Sequence, residues 1–260
     1  MEVASPAVVV SCLATLAAVG LAVEDGFSHW TVPAAGPWAV AGGAVTVASG
    51  AGVYAALETS PSASLLLSVV AGFAAASWIV VGRLAAGWGV DYRERYFAAA
   101  GVGVAAVVLV ALVTHLGAPA SSLVWVLIVP VAAAVPAAVG FVAFGFLVTD
   151  LFTELRLSGL FAVVTVVFEG AASVAAGRLL AADAEGLFAS ALRPAFSAAG
   201  VAPGWWALVA AHLAVGLVIV AVCGRLSRWR TDAGRTVVFV VSVVTLWSGT
   251  AVLVSAVTLG

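Results

Sequence analysis

Glu169 and His212, one acid and one imidazole, each fall near the middle of an apolar segment of membrane length in a chain that carries charge almost nowhere else. An ionisable group at that depth costs on the order of 2.5–3.5 kcal/mol on insertion scales, so it needs a partner. Thr165, Glu169 and Ser173 follow an i, i+4, i+8 pattern, which places one hydroxyl a turn before the carboxylate and one a turn after it on a single helix stripe. Gly177 continues that stripe, and His212 and Gly216 stand one turn apart on the next apolar segment. Antiparallel packing of the two segments would bring His212 to the depth of Glu169. Two readings of these residues stand side by side. In the first, the Glu169 carboxylate binds a proton, a cation or a basic substrate group and His212 relays or tunes it, the pair holding one shared proton. In the second, Thr165, Glu169, Ser173 and His212 make interhelical hydrogen bonds worth about 0.6 kcal/mol each. Small residues then simply permit close backbone approach, as in Ala48-x-x-x-Gly52 or Ser173-x-x-x-Gly177. The hydroxyls of the second and last apolar segments (Thr46 and Ser49; Ser242, Thr245 and Ser248) read mostly as packing.

Other chemistries find little footing. All ten basic residues are Arg, and the absence of lysine excludes a retinal Schiff base and a lysine nucleophile. The three histidines, His29, His115 and His212, form no HExxH and no cluster with Asp, so neither a metal site nor a cofactor is expected. Cys12 and Cys223 lie in separate segments with no metal spacing and read as small core residues. Ser248 comes after the last histidine, against the order of a rhomboid-like protease, and Asp150 and Asp183 fall at segment ends rather than forming an intramembrane aspartate pair. Gly101-Val102-Gly103 follows no strand and reads as helix packing, not a phosphate loop.

The elements that must hold these residues follow from composition. With 64% hydrophobic and 8% charged residues over 260 positions, the chain suits a bilayer, and no stretch is long and polar enough to form a separate soluble domain. The expected fold class is all-α, a polytopic transmembrane bundle and a single integral membrane domain spanning residues 1 to 260. Apolar windows of about 20 residues fall at 3–23, 36–57, 63–86, 97–116, 122–148, 157–181, 204–224 and 236–259, predicting eight spans. Between the sixth and seventh, Leu187, Phe188, Ala191, Leu192, Ala195 and Phe196 recur at helical spacing, predicting a short interfacial helix that acts as a plug or a gate. Pro194 is expected to shorten or bend it. Pro130 and Pro136 make the fifth span the candidate for a bent or locally unwound helix. Trp30, Trp38, Trp88, Trp125, Trp205, Trp206 and Trp229 lie near predicted ends, at headgroup level, while Trp78 and Trp247 lie deeper and read as packing residues.

Arg83, Arg93, Arg95, Arg156, Arg225, Arg228, Arg230 and Arg235 fall on one face of this topology, and only Arg178 and Arg193 on the other. The positive-inside rule makes the first face cytoplasmic, predicting a multi-pass plasma-membrane protein with both termini extracytoplasmic. Arg225, Arg228 and Arg230 could also attract anionic lipid headgroups, whereas a nucleic-acid partner is not expected of so small a basic cluster beside the bilayer. Phe73, Gly82, Arg83 and Leu84 recur as Phe168, Gly177, Arg178 and Leu179 on helices of opposite direction, the pattern of an inverted repeat or of chance in an Ala-rich chain.

From Val166 onward the order of features resembles the archaeal integral-membrane proteins gathered as domain-of-unknown-function family 63. In that family a helix carries a histidine, an acid three residues later and a Thr four beyond the acid, followed by a Glu-containing outer loop and a helix with Lys-Leu-Ala. Glu169 stands where the acid would be, Ser173 for the Thr, Glu185 in the loop, and Ala211-His212-Leu213-Ala214 where the lysine-bearing stretch would be. Val166 replaces the family histidine, His212 the lysine, and Trp247-Ser248-Gly249-Thr250 the closing Gly-Pro-Gly and Asn segment, so the resemblance implies a diverged member. The family has no established activity to carry over. The sequence thus predicts a membrane protein of unknown activity with a small polar site. The alternatives are a proton- or cation-coupled transporter of a small solute and, third, an intramembrane enzyme acting on lipid.

Overall fold

The computed structural model describes residues 28, 30–53, 63–88, 93–180, 182, 184–198 and 205–259. The expected first span at 3–23 lies outside these residues, as do Cys12 and His29. Within them the chain forms eight α-helices and no strand: α1 Thr31–Gly50, α2 Ala63–Trp88, α3 Arg93–Leu116, α4 Ala120–Leu147, α5 Thr149–Arg178, α6 Leu187–Ala198, α7 Trp205–Trp229 and α8 Thr231–Leu259. Five stretches are long and apolar enough to cross a membrane: α3, α4, Glu154–Arg178 of α5, Trp206–Trp229 of α7 and Asp232–Leu259 of α8. In α2 the described apolar stretch is shorter, Val69–Leu84. The chain is therefore an all-helical membrane protein.

The packing divides into two compact units, Met1–His115 and Leu116–Gly260. In the first unit, α1 carries small residues on every face and is buried over most of its length, packed against α2. Trp38 was expected at headgroup level but is buried. Its ring stacks on Phe97 at 5.6 Å between centroids, and its indole N–H donates to the Phe97 carbonyl over 3.0 Å. A partner for the indole N–H inside the unit outweighs the interfacial preference. Trp78, expected to be a packing residue, meets Phe97 edge-on at 5.1 Å, and Arg93 lies 4.0 Å from the Trp78 ring centroid, so α1, α2 and α3 join at one aromatic cluster.

In the second unit α5 is the central helix. It packs against α4, α6, α7 and α8, and Ala162, Val163, Val166, Val167, Ala172 and Ala176 are wholly enclosed. A helix that is apolar all round has to be surrounded in this way. α4 touches protein through a narrow stripe, Val129, Ala133, Ala137 and Phe141, and leaves Leu127, Val139, Phe146 and Leu147 facing outward. The locally unwound turn expected at Pro130 and Pro136 does not form, α4 being continuous from Ala120 to Leu147. Its buried stripe is apolar. The non-helical backbone lies instead at Arg156, where φ 43° and ψ −124° separate the first turns of α5 from its membrane segment. A non-glycine residue there costs on the order of 1–3 kcal/mol.

Helix ends depart from expectation for identifiable reasons. α1 starts at Thr31 rather than 36, with Pro33 tolerated in its first turn because it has no amide N–H to leave unpaired there, and it ends at Gly50, before Gly52 turns at φ 69°. α3 begins at Arg93 and α7 runs on through Arg225, Arg228 and Trp229, leaving only Arg230 between α7 and α8. Arg is a good helix former with a long apolar stem, so arginine clusters at a membrane edge extend helices rather than end them. α6 forms where the amphipathic pattern placed it and runs through Pro194 to Ala198, with Phe188, Leu192 and Phe196 half-buried along one side. Of the residues that recur at the constant offset, Phe73 is exposed while Phe168 is buried, and Leu84 and Leu179 are both exposed.

Candidate functional site

Glu169 sits mid-way along α5, and two glycine contacts fix what surrounds it. A Cβ added at Gly249 of α8 would lie 2.8 Å from the Phe168 ring and 3.0 Å from the Glu169 Cα, so α8 crosses α5 backbone to backbone at the acid. A Cβ added at Gly170 would lie 2.6 Å from His212 Cγ, so the imidazole of α7 rests flat against α5 one residue beyond the acid. Gly216, a turn after His212, approaches the Val163 backbone within 3.3 Å of its virtual Cβ. By contrast, Gly52 and Gly177, the expected close-approach positions of the small-x-x-x-small patterns, face open space. The small residues that matter are therefore those next to the polar side chains, not those completing the four-residue spacing.

The result is that Glu169 and His212 are both wholly buried, with Oε2 of the acid 3.7 Å from Nε2 of the imidazole. His212 is oriented by its other nitrogen, which lies 2.8 Å from the Leu208 carbonyl. A carbonyl only accepts, so Nδ1 carries hydrogen and Nε2 of the neutral ring presents a lone pair to the carboxyl. Neither Oε2 nor Nε2 has a hydrogen-bond partner among the described residues. Two acceptors facing each other in an enclosed space repel. One proton placed between them turns the contact into a hydrogen bond or an ion pair whose titration belongs to both groups.

The other carboxylate oxygen is fully engaged. Glu169 Oε1 accepts from the Phe188 amide over 2.7 Å and from the Ser248 hydroxyl over 3.3 Å. Ser248 in turn accepts from the Leu187 amide at 3.0 Å. Ser173 accepts from the Gly186 amide at 2.9 Å and donates to the Glu169 carbonyl at 3.0 Å. Gly186 is the residue before α6, and its carbonyl accepts the Ser190 amide, so these three consecutive amides are unpaired donors of a helix start. α5 and α8 thus cap α6 from outside its own sequence, with the acid at the positive end of the helix dipole. Gly186 must be glycine for this to fit, since a Cβ there would lie 2.7 Å from Glu169 Cγ and closer still to its carboxylate.

Of the four predicted site residues, Glu169, His212 and Ser173 come together. Ser173 serves α6 and the Glu169 backbone rather than the carboxylate. Thr165 lies on the same buried stripe but pairs elsewhere: its hydroxyl donates to the Ala162 carbonyl at 3.0 Å and stands 3.0 Å from the Thr245 hydroxyl of α8. Ser248, read from sequence as packing, and Gly186 complete the site. The one sequence signal for Gly186 was its place just before the amphipathic stretch, the position of a helix N-cap.

Glu169 and His212 supply two side-chain atoms that could bind a proton or a cation, and no group of three His, Cys, Asp or Glu side chains converges among the described residues. At the far end of the unit, Arg225 and Arg230 are exposed and Arg228 pairs with Asp150 at 3.2 Å. Set against known proteins, the chain matches no family model, no curated protein and no solved structure.

Proposed function

We propose that the chain is an eight-span plasma-membrane protein that binds one proton between Glu169 and His212, and that it couples this proton to the movement of a small solute. The observation that carries the reading is the pair of facing, enclosed and unpartnered atoms, Oε2 and Nε2, held 3.7 Å apart while every other polar atom of the two side chains is hydrogen-bonded. A pair kept only for packing would close to hydrogen-bond distance or be replaced by apolar side chains at little cost. An intramembrane acid beside an imidazole is the usual equipment of a proton relay. The third reading, an enzyme acting on lipid, loses ground because the carboxylate is sealed between α5, α6, α7 and α8 rather than turned outward.

The proposed topology places both termini outside, α6 in the outer interface, and Arg225 and Arg230 beside anionic headgroups on the cytoplasmic face. Within it, the resemblance to domain family 63 is kept as a proposal of distant kinship. Uptake into proteoliposomes under an imposed proton gradient, over a broad panel of small solutes, tests the activity. The expected result is flux that Glu169→Gln abolishes while the variant still inserts, and absence of flux for every solute would remove the carrier reading. Single cysteines at Ser190 and Arg230 in a Cys-free background test the topology, since labelling of the second from outside would reverse it.

A further inference from the structure

The two oxygens of Glu169 face different elements. Oε2 points at His212 of α7, and Oε1 holds the first turn of α6 through the Phe188 amide and, by way of Ser248, the Leu187 amide. One carboxyl group therefore touches both the proton position and the attachment of a separate helix. We propose that α6 is a lid whose docked position is set by the protonation state of Glu169: the ionised acid clamps the α6 start, and the neutral acid releases it.

The physical reason lies in what the proton changes at each oxygen. As a carboxylate, Glu169 offers α6 charge-assisted hydrogen bonds and an anion at the positive end of its dipole. When Oε2 takes a proton and donates it to His212 Nε2, the negative charge leaves the α6 start and the Phe188 amide is left with a neutral carbonyl oxygen. The same step that pairs Oε2 with Nε2 thus loosens the clamp. Beyond the Gly186 amide bond to Ser173, little else holds α6: Ala189 is its one buried side chain among the described residues, with Phe188, Leu192 and Phe196 half-buried.

Among the described residues no other charge is placed to act in Glu169's stead, Asp183 lying outside them. α4 carries no charged residue, and α7 otherwise has only Arg225 and Arg228 in its last turns. On α8 the charges are Asp232 and Arg235, at the opposite end from Ser248, and on α5 they are Asp150, Glu154 and Arg156 at the start and Arg178 at the close. Glu185, just before α6, is engaged with Arg193 of α6 itself. His212 is the titratable group that faces Glu169.

This inference rests on the proton-binding reading of the pair, and the test separates the two. In the full chain with Cys12 and Cys223 replaced, a nitroxide at Ser197→Cys on the exposed side of α6 reports lid mobility. Infrared difference spectra of the same sample report the neutral carboxylic acid, assigned to Glu169 by its loss in Glu169→Gln. The expected result is that the acid band and the mobile fraction rise together as pH falls, the mobile fraction changing by about tenfold. Glu169→Gln, a mimic of the neutral acid, is expected to be mobile at every pH. Ser248→Ala is expected to raise mobility throughout while keeping the pH response. An acid band that titrates over an unmoving label would overturn the lid and leave the proton site standing. A pH response that survives in Glu169→Gln would also overturn the lid, and absence of any titrating Glu169 band would take the proton reading down with it.

Discussion

Two glycines of one helix, seven residues apart, should respond in opposite ways to the same methyl group. Alanine at Gly170 puts a Cβ 2.6 Å from His212 Cγ and 2.7 Å from Nδ1, against about 3.4 Å for ordinary contact, so α7 and α5 must separate locally by roughly 0.8 Å or the ring must turn. The ring has little freedom, being wholly buried and tied to the Leu208 carbonyl at 2.8 Å. Overpacking of this kind costs about 1–3 kcal/mol, and straining the imidazole bond adds about 0.5–1.5 kcal/mol. The gain in helix propensity from Gly to Ala returns about 1 kcal/mol, for a net destabilisation near 2 kcal/mol. Alanine at Gly177 meets nothing within 4 Å and keeps only the propensity gain, about 0–1 kcal/mol. Thermal unfolding of the detergent-solubilised protein, followed by circular dichroism, should therefore place Gly170→Ala roughly 4–12 °C below Gly177→Ala, taking about 2–4 °C per kcal/mol. Equal melting temperatures, or a Gly170→Ala variant as stable as the parent, would refute the placement of His212 against the α5 backbone and with it the geometry of the acid-imidazole pair.

Glu169→Ala leaves the Phe188 amide and the His212 imidazole without a counterpart and should cost about 3–5 kcal/mol, whereas Glu169→Gln, which keeps an acceptor for α6, should cost at least about 2 kcal/mol less in denaturant unfolding. Thr165→Val should cost only about 0.6 kcal/mol, because Thr245 keeps the Val241 carbonyl as partner, and a double-mutant cycle with Thr245→Val reads the coupling directly. Arg228→Ala should change stability by no more than about 1 kcal/mol, since its pairing with Asp150 is solvent-screened at side-chain exposures of 42% and 81%. Trp38→Phe, measured the same way, should lose about 1 kcal/mol with the indole bond to the Phe97 carbonyl while keeping the stacked ring.

Membrane residence, helical class and the enclosure of Glu169 and His212 within apolar helices were legible along the chain, because lipid imposes one-dimensional rules: about 20 apolar residues per span, backbone bonds closed within each helix, and a penalty on any buried charge. The amphipathic stretch that becomes α6 was legible for the same reason, as a local 3.6-residue period. Helix ends were less so. Arg93 and Arg225 read as loop markers because they are charged, yet both lie within helices, Arg93 with its guanidinium over the Trp78 ring and Arg225 exposed near the end of α7.

Partnerships were decided by the tertiary structure, since a periodic pattern names a stripe but not what lies across from it. Thr165, Glu169 and Ser173 share one stripe and go to three destinations: α8, α7 together with α6, and the residue that precedes α6. Nothing in the spacing distinguishes Gly170, under the His212 ring, from Gly177, which faces open space, because the difference is the position of another helix. The capping of α6 by Ser173, Glu169 and Ser248 joins residues up to 79 positions apart, as in the Ser248 to Glu169 contact. Such contacts exist only once α5, α6 and α8 have packed, since an unpaired amide finds its acceptor by proximity in space rather than along the chain.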